Sequence, residues 1–344
     1  MKNKTISIDK LKILFAIFII AIHTYPLTSI SENADFIFTH VFCRIGVPFF
    51  LMVTGYFVLQ KALQDKSVLI KYTKKIILIY AISTIIYIPV NIYAGKFDGI
   101  GFIGVLKAIF IDGTFYHLWY FPALILGIWI TYFIAKNLKG KMPIIICMIL
   151  YLIGLFGDSY YGITSSFEIT KNIYDVIFKT FEYTRNGLFY VPIFIYMGYM
   201  LKEKQLNIRT KQNVILIVFS TILMIIEGLI LRQFDLQRHD SMYIMLIPLM
   251  FVLFNLIVQK QDKTANNKKL RELSTTIYIM HPLFIIVVRG IAKIVHLQDL
   301  MIDNSVIHYL LVVISTIVFS IFFEFIKEKI KDGRNSKRQS LDRA

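Results

Sequence analysis

The chain has 344 residues, 56% of them apolar and 15% aromatic, and carries a net charge of +16. That balance excludes an ordinary soluble domain. The positive charge does not indicate nucleic acid, because the basic residues lie almost wholly in short loops between apolar stretches, where membrane topology and anionic headgroups account for them.

The N-terminus is basic and then apolar. No small-residue cleavage site follows, and the run is long enough to span, so a retained first helix is expected. The apolar pattern predicts an all-α, polytopic membrane protein with ten transmembrane helices, at about 11–29, 41–59, 76–93, 117–136, 142–157, 187–201, 212–231, 241–259, 274–291 and 305–326. Placing the N-terminus inside puts 28 of the 38 basic residues on the cytoplasmic side, so both termini are expected to be cytoplasmic. Two stretches on the other side resist assignment as spans. Residues 97–112 are short and interrupted by glycine. Residues 165–186 carry Glu168, Lys171, Asp175, Lys179 and Glu182 among apolar residues at helical spacing, which predicts an additional amphipathic helix at the outer interface or over a cavity. Residues 331–344 read as a charged tail or linker after a membrane domain of residues 1–330.

Within the first span, Lys12 and His23 stand eleven positions apart, about 16 Å along a helix axis. A cation at the mouth with a buried acid/base behind it suits a phosphate-bearing acyl carrier whose thioester enters the membrane. A polar ring inside an apolar span needs a partner or a use, and an imidazole can take a proton from an acceptor hydroxyl and return it. The plainer alternative is a histidine satisfied between helices. Arg44, at the outer end of the second span, suits an acceptor's anionic group or an oxyanion, and equally a snorkelling or salt-bridged arginine. Glu227 is placed to pair with Arg44, to orient His23 or to reach water at a helix end. His117 and Trp119 open the fourth span where aromatic belts are ordinary, so they are acceptor-site candidates or interface anchors. His281, before Pro282, reads as a structural group at a kink, and Asp9 as a charge near a helix N-terminus. Cys43 and Cys147 form no disulfide framework and no metal site, and no metal is expected. The chain has no G-x-S-x-G elbow, no phosphate-cradling glycine loop and no H-E-x-x-H.

Four segments carry a family resemblance: SIDKLKILFAIFIIAIHTYP from Ser7, RIGVPFFLMVTGYFVL from Arg44, HLWYFPALI from His117, and STTIYIMHPLFI from Ser274. Together they resemble the acyltransferase family 3 membrane proteins, and within that family the membrane part of the vancomycin-resistance membrane-bound serine racemases. The last residues, SLDRA, resemble the junction where a pyridoxal-phosphate racemase domain begins in those proteins, and no such domain is expected within 1–344. The resemblance implies transfer of an acyl group, usually acetyl from cytoplasmic acetyl-CoA, to an extracytoplasmic small-molecule or cell-envelope acceptor. It places the essential histidine at His23 and carrier-binding cations at Lys12 and near the third span. There the chain has Lys71, Lys74 and Lys75 in place of paired arginines, so bidentate contacts give way to point charges. Two functions are therefore expected to compete: a membrane acyltransferase using acyl-CoA, and a transport or non-catalytic module for L-serine uptake serving a racemase. The lipid bilayer is a partner of either, and a homo-oligomer is left open.

Overall fold

Apolar runs broken by short polar turns fold here into helices alone. The structure, a computed structural model, describes residues 7–96, 98–262 and 267–341. Its principal helices are α1 (Ile8–Thr24), α2 (Glu32–Gln64), α3 (Lys66–Tyr93), α4 (Phe102–Lys107), α5 (Tyr120–Asn137), α6 (Met142–Phe156), α7 (Glu168–Thr180), α8 (Val191–Glu203), α9 (Thr210–Gln233), α10 (Leu246–Gln259), α11 (Lys268–Ile294) and α12 (Ser305–Leu341). Short polar side chains start several of them, as a helix N-terminus requires. Ser7 accepts the Lys10 N–H at α1, Asp65 the Ser67 N–H at α3, and Asn267 the Leu270 N–H at α11.

The apolar pattern predicts ten spans, and five of the described helices are long and apolar enough to cross a membrane: α2, α3, α9, α11 and the Ser305–Asp332 part of α12. The helices at the other five expected positions, α1, α5, α6, α8 and α10, run 13 to 18 residues, short of the roughly 20 that a bilayer core takes. Their apolar runs continue into the flanking turns, whereas the helical backbone stops earlier. α1 ends at Thr24, where Tyr25 turns left-handed at φ 51°. α2 instead begins nine residues before its expected start, because Ser31 caps it and Asp35 accepts the Leu27 N–H and the Thr39 hydroxyl. α3, α9 and α12 leave isoleucine, leucine and phenylalanine side chains exposed along most of their length, as lipid-facing helices do. The stretch 97–112, apart from residue 97, which lies outside the described residues, forms α4 and a wide turn to Asp112 after it.

The expected amphipathic segment forms α7. Ile169, Ile173 and Val176 make an exposed apolar stripe at i, i+4 and i+7, while Tyr174 is buried with its hydroxyl donating to the Ile153 carbonyl at 2.6 Å. The final residues 342–344 of the expected linker lie outside the described residues.

Two compact units result. The first comprises the described parts of Met1–Thr39 and Gln261–Ala344, and the second His40–Lys260, so the boundary falls inside α2. In the first unit α1, α11 and α12 pack together over Phe15, Ala16, Ile19 and Ile20 of α1. Asp9 ties the start of α1 to α11, accepting from Lys12 Nζ at 3.1 Å, Arg271 Nη1 at 3.0 Å and the Asn267 N–H at 2.9 Å. Ser305 holds the start of α12 to the turn after α1 through the Pro26 carbonyl at 2.8 Å.

In the second unit α8 is the central helix, with Val191, Ile193, Phe194 and Ile195 fully buried. It crosses α2 at two glycines. A Cβ on Gly55 would collide with the Ile195 carbonyl, and one on Gly198 with the Met52 carbonyl. Only glycine lets two helix backbones approach so closely.

Candidate functional site

The residues singled out in the sequence fall into both units. In the first, His23 lies in the last turn of α1, half-buried, with its ring stacked on that of His281 at 5.3 Å between centroids and 21° between planes. The second ring is fixed, since His281 Nδ1 is 2.7 Å from the Tyr278 carbonyl oxygen. A hydrogen bond to that acceptor puts the proton on Nδ1 and leaves Nε2 as the basic nitrogen. His281 is therefore more than the kink-satisfying group expected. Lys12 sits at the other end of α1 with its ammonium on Asp9, and Arg271 shares the same carboxylate. Asp9 thus ties helices together and pairs with Lys12, its single charge shared with Arg271, in addition to its place near a helix start.

In the second unit, Lys71, Lys74 and Lys75 are exposed on the first turns of α3. Arg44 lies in α2 with its side chain 10% exposed. Its Nη2 donates to Asp240 Oδ1, while its Nε is buried with no hydrogen-bond partner. The other oxygen of Asp240 meets His40 Nδ1. His117 is buried in an aromatic box, its ring 4.9 Å from Tyr87, 5.6 Å from Tyr116 and 5.7 Å from Phe115, which is packing. Glu227 accepts from Tyr160 Oη at 2.8 Å and from the Ile244 and Met245 N–H groups at 2.6 and 2.9 Å. It clamps the turn that starts α10. Trp119 lies under the Arg185 guanidinium at 4.8 Å from the ring centre.

Trp119 leads to a cluster that spacing along the chain does not reveal. It is built on the turn after α6, the loop before α8 and the loop between α9 and α10. Arg185 sits over both Trp119 and Tyr183, the second at 4.7 Å, in the cation–π geometry that suits a planar guanidinium. Asp158 is almost fully buried. Its Oδ1 accepts from the Ser241 N–H at 2.7 Å, the Met242 N–H at 3.0 Å and the Ser159 hydroxyl at 3.0 Å. His239 Nδ1 is 2.6 Å from the Ser241 hydroxyl and 3.7 Å from Asp158 Oδ2.

Burial governs the charges of this cluster. It pushes Asp158 up to about 7, the Ser241 N–H opposing and the Asp240 charge adding to it. Burial, then the Arg185 and Arg44 charges, hold His239 far below its ordinary value. At Asp240 burial works the other way, but Arg44 and His40 outweigh it and keep the carboxyl well below the usual range. Burial and the neighbouring Arg44 lower Arg185. The signal that could have found the cluster is Asp158 and Arg185 beside the ends of apolar runs and Arg238, His239 and Asp240 in succession before another.

An all-α membrane-associated protein with buried ionisable groups on its interhelical loops is the class that fold and site define. The particular family follows from comparison with known proteins. The family model described as an acyltransferase domain, that of acyltransferase family 3, matches residues 5–325, and the chain belongs to this family. It is 37% identical over 349 residues to an amino-acid racemase of Enterococcus faecalis, covering 100% of this chain and 48% of that protein. A second amino-acid racemase of Enterococcus faecalis is 34% identical over 339 residues, with 96% of this chain and 47% of the relative covered. A serine/alanine racemase of Enterococcus gallinarum is 30% identical over 353 residues, with 100% and 49% covered. The chain therefore spans about half the length of these relatives and is homologous to the membrane domain of such racemases. No solved structure matches.

Proposed function

We propose that this chain is the membrane module that takes a small neutral amino acid of the serine class from the extracytoplasmic side and delivers it inward for a racemase. The observation that carries this reading is the buried cluster of Arg44, Arg185, Asp158 and Asp240 in the second unit. Ionisable groups buried in a membrane protein are costly and mark the path of a polar substrate. The racemases similar to this chain, one of them named for serine and alanine, supply the substrate class. Residues 1–330 form the membrane domain in this reading, and 331–344 the link towards the racemase. The expected result is influx of radiolabelled L-serine into proteoliposomes holding the purified chain, with no acyl donor present. Influx no faster than into empty liposomes would reject the transport reading.

Transfer of an acetyl group from acetyl-CoA is the second reading, favoured by the stacked His23 and His281 rings. His23 would take the proton of the acceptor hydroxyl. Lys12, Lys71, Lys74 and Lys75 would attract the carrier's phosphates, Lys12 from a site where it shares the Asp9 carboxylate with Arg271. General acid/base catalysis contributes about 10²–10⁴ in rate. His23→Ala should then lower acetyl transfer by that factor and leave CoA binding intact. An unmodified chain with no measurable CoA affinity removes this reading and leaves the first.

Both readings share one topology, with the termini and the loops at Lys66, Lys139, Lys204 and Lys268 in the cytoplasm, as the charge division requires. Single cysteines at those four positions should escape an impermeant thiol reagent in intact cells and react after permeabilisation. Labelling of intact cells would reverse the orientation.

A further inference from the structure

The charged groups of the second unit divide into two sets. Arg44, Asp240 and His40 are paired with one another, since each oxygen of Asp240 already has a donor, and of their buried side-chain atoms only Arg44 Nε is left without a hydrogen bond. Arg185 and Asp158 do not. The Arg185 guanidinium carbon lies 4.8 Å from the Trp119 ring centre and 4.7 Å from that of Tyr183, yet its Nε is buried without a hydrogen bond, and among the described residues no carboxylate forms an ion pair with it. Asp158 is 1% exposed. Three donors converge on its Oδ1, while its Oδ2 is buried with no hydrogen bond and lies 3.7 Å from His239 Nδ1, an imidazole that burial keeps neutral. Each of the two groups lies within electrostatic reach of the other.

We propose that Arg185 and Asp158 are the two ends of a subsite for an α-amino acid zwitterion, Arg185 taking the carboxylate and Asp158 Oδ2 the ammonium group. This deepens the amino-acid reading above and rests on it. Two aromatic rings beside a guanidinium occupy it without accepting its N–H hydrogen bonds, and a guanidinium with its N–H groups unpaired can grip a carboxylate in two bonds. A lone anion would satisfy Arg185 and leave Asp158 bare, and a lone cation would do the reverse. A molecule with both charges close together relieves both at once, and an unpaired buried charge is costly enough for that to matter.

The site also carries a pH signature. Asp158 faces Arg185, Asp240, Arg44, His239, Tyr190 and Tyr243, and burial is the main reason that it ionises only near pH 7. An ammonium ligand prefers the ionised carboxylate, so binding expels a proton. Affinity should rise as pH climbs to about 7 and level off above it.

The test is L-serine binding to the purified chain in lipid nanodiscs, with serinamide, which lacks the carboxylate, and N-acetylserine, which lacks the ammonium, as probes. The unmodified chain should bind L-serine about 10- to 100-fold more tightly than either analogue. Arg185→Gln should erase the preference over serinamide, and Asp158→Asn the preference over N-acetylserine together with the pH dependence. Equal binding of all three compounds by the unmodified chain overturns the subsite without recourse to any variant. So does unchanged discrimination in variants that keep the parent's unfolding temperature, while the amino-acid reading survives because L-serine still binds. Absence of any L-serine binding removes both.

Discussion

Asp240→Ala is expected to destabilise the second unit by about 3–5 kcal/mol, the usual cost of breaking a buried ion pair from one side. The Arg44 side chain is 10% exposed and its Nη2 depends on Asp240, so the substitution leaves a buried guanidinium without its ion-pair partner. His40 loses the same carboxylate. Thermal unfolding in detergent reads the effect, and Arg44→Ala should cost a similar amount. The informative comparison is the paired change Arg44→Met with Asp240→Leu. Removing both charges together also removes the desolvation that the pair had to overcome, so the double variant should recover most of the loss. A double variant as unstable as the sum of the single ones would mean that the two side chains act separately, against the contact described here.

Gly198→Leu is expected to prevent the second unit from assembling. The first atom of the new side chain would land on the Met52 carbonyl, and no rotamer of a neighbour relieves a clash with backbone. Gly55→Leu should do the same against the Ile195 carbonyl. Alanine at either place forces the helices apart and should cost about 1–3 kcal/mol. Gly290 in α11 is the control, because nothing lies within 4 Å of where its Cβ would be. There alanine should stabilise by about 0.8–1 kcal/mol through helix propensity. Size-exclusion profiles of solubilised chains separate the cases: a collapsed peak for the leucine variants, a sharp one for Gly290→Ala. A monodisperse, parent-like profile for Gly198→Leu would show that α2 and α8 do not cross at these glycines.

Hydrophobicity, helical spacing and charge placement are local properties, and for that reason the sequence alone determined the helical class, the membrane association, the amphipathic α7 and the family. The four motifs and the unbroken apolar runs needed no tertiary information to be recognised. Helix length was less legible, since an apolar residue in a terminal turn looks the same as one inside a helix: α1 ends sooner than its apolar run, and α8 and α10 begin later than theirs. Site assignments were least legible where a side chain's meaning depends on its neighbours in space. His23 gained His281 across the first unit, and Lys12 gained an aspartate that it shares with Arg271. Glu227 became a backbone clamp and His117 a packed ring. Only the fold decided that Arg44 is answered by Asp240 whereas Arg185 and Asp158 are not, because neutralisation and burial belong to neighbours in space, and spacing along the chain does not report them.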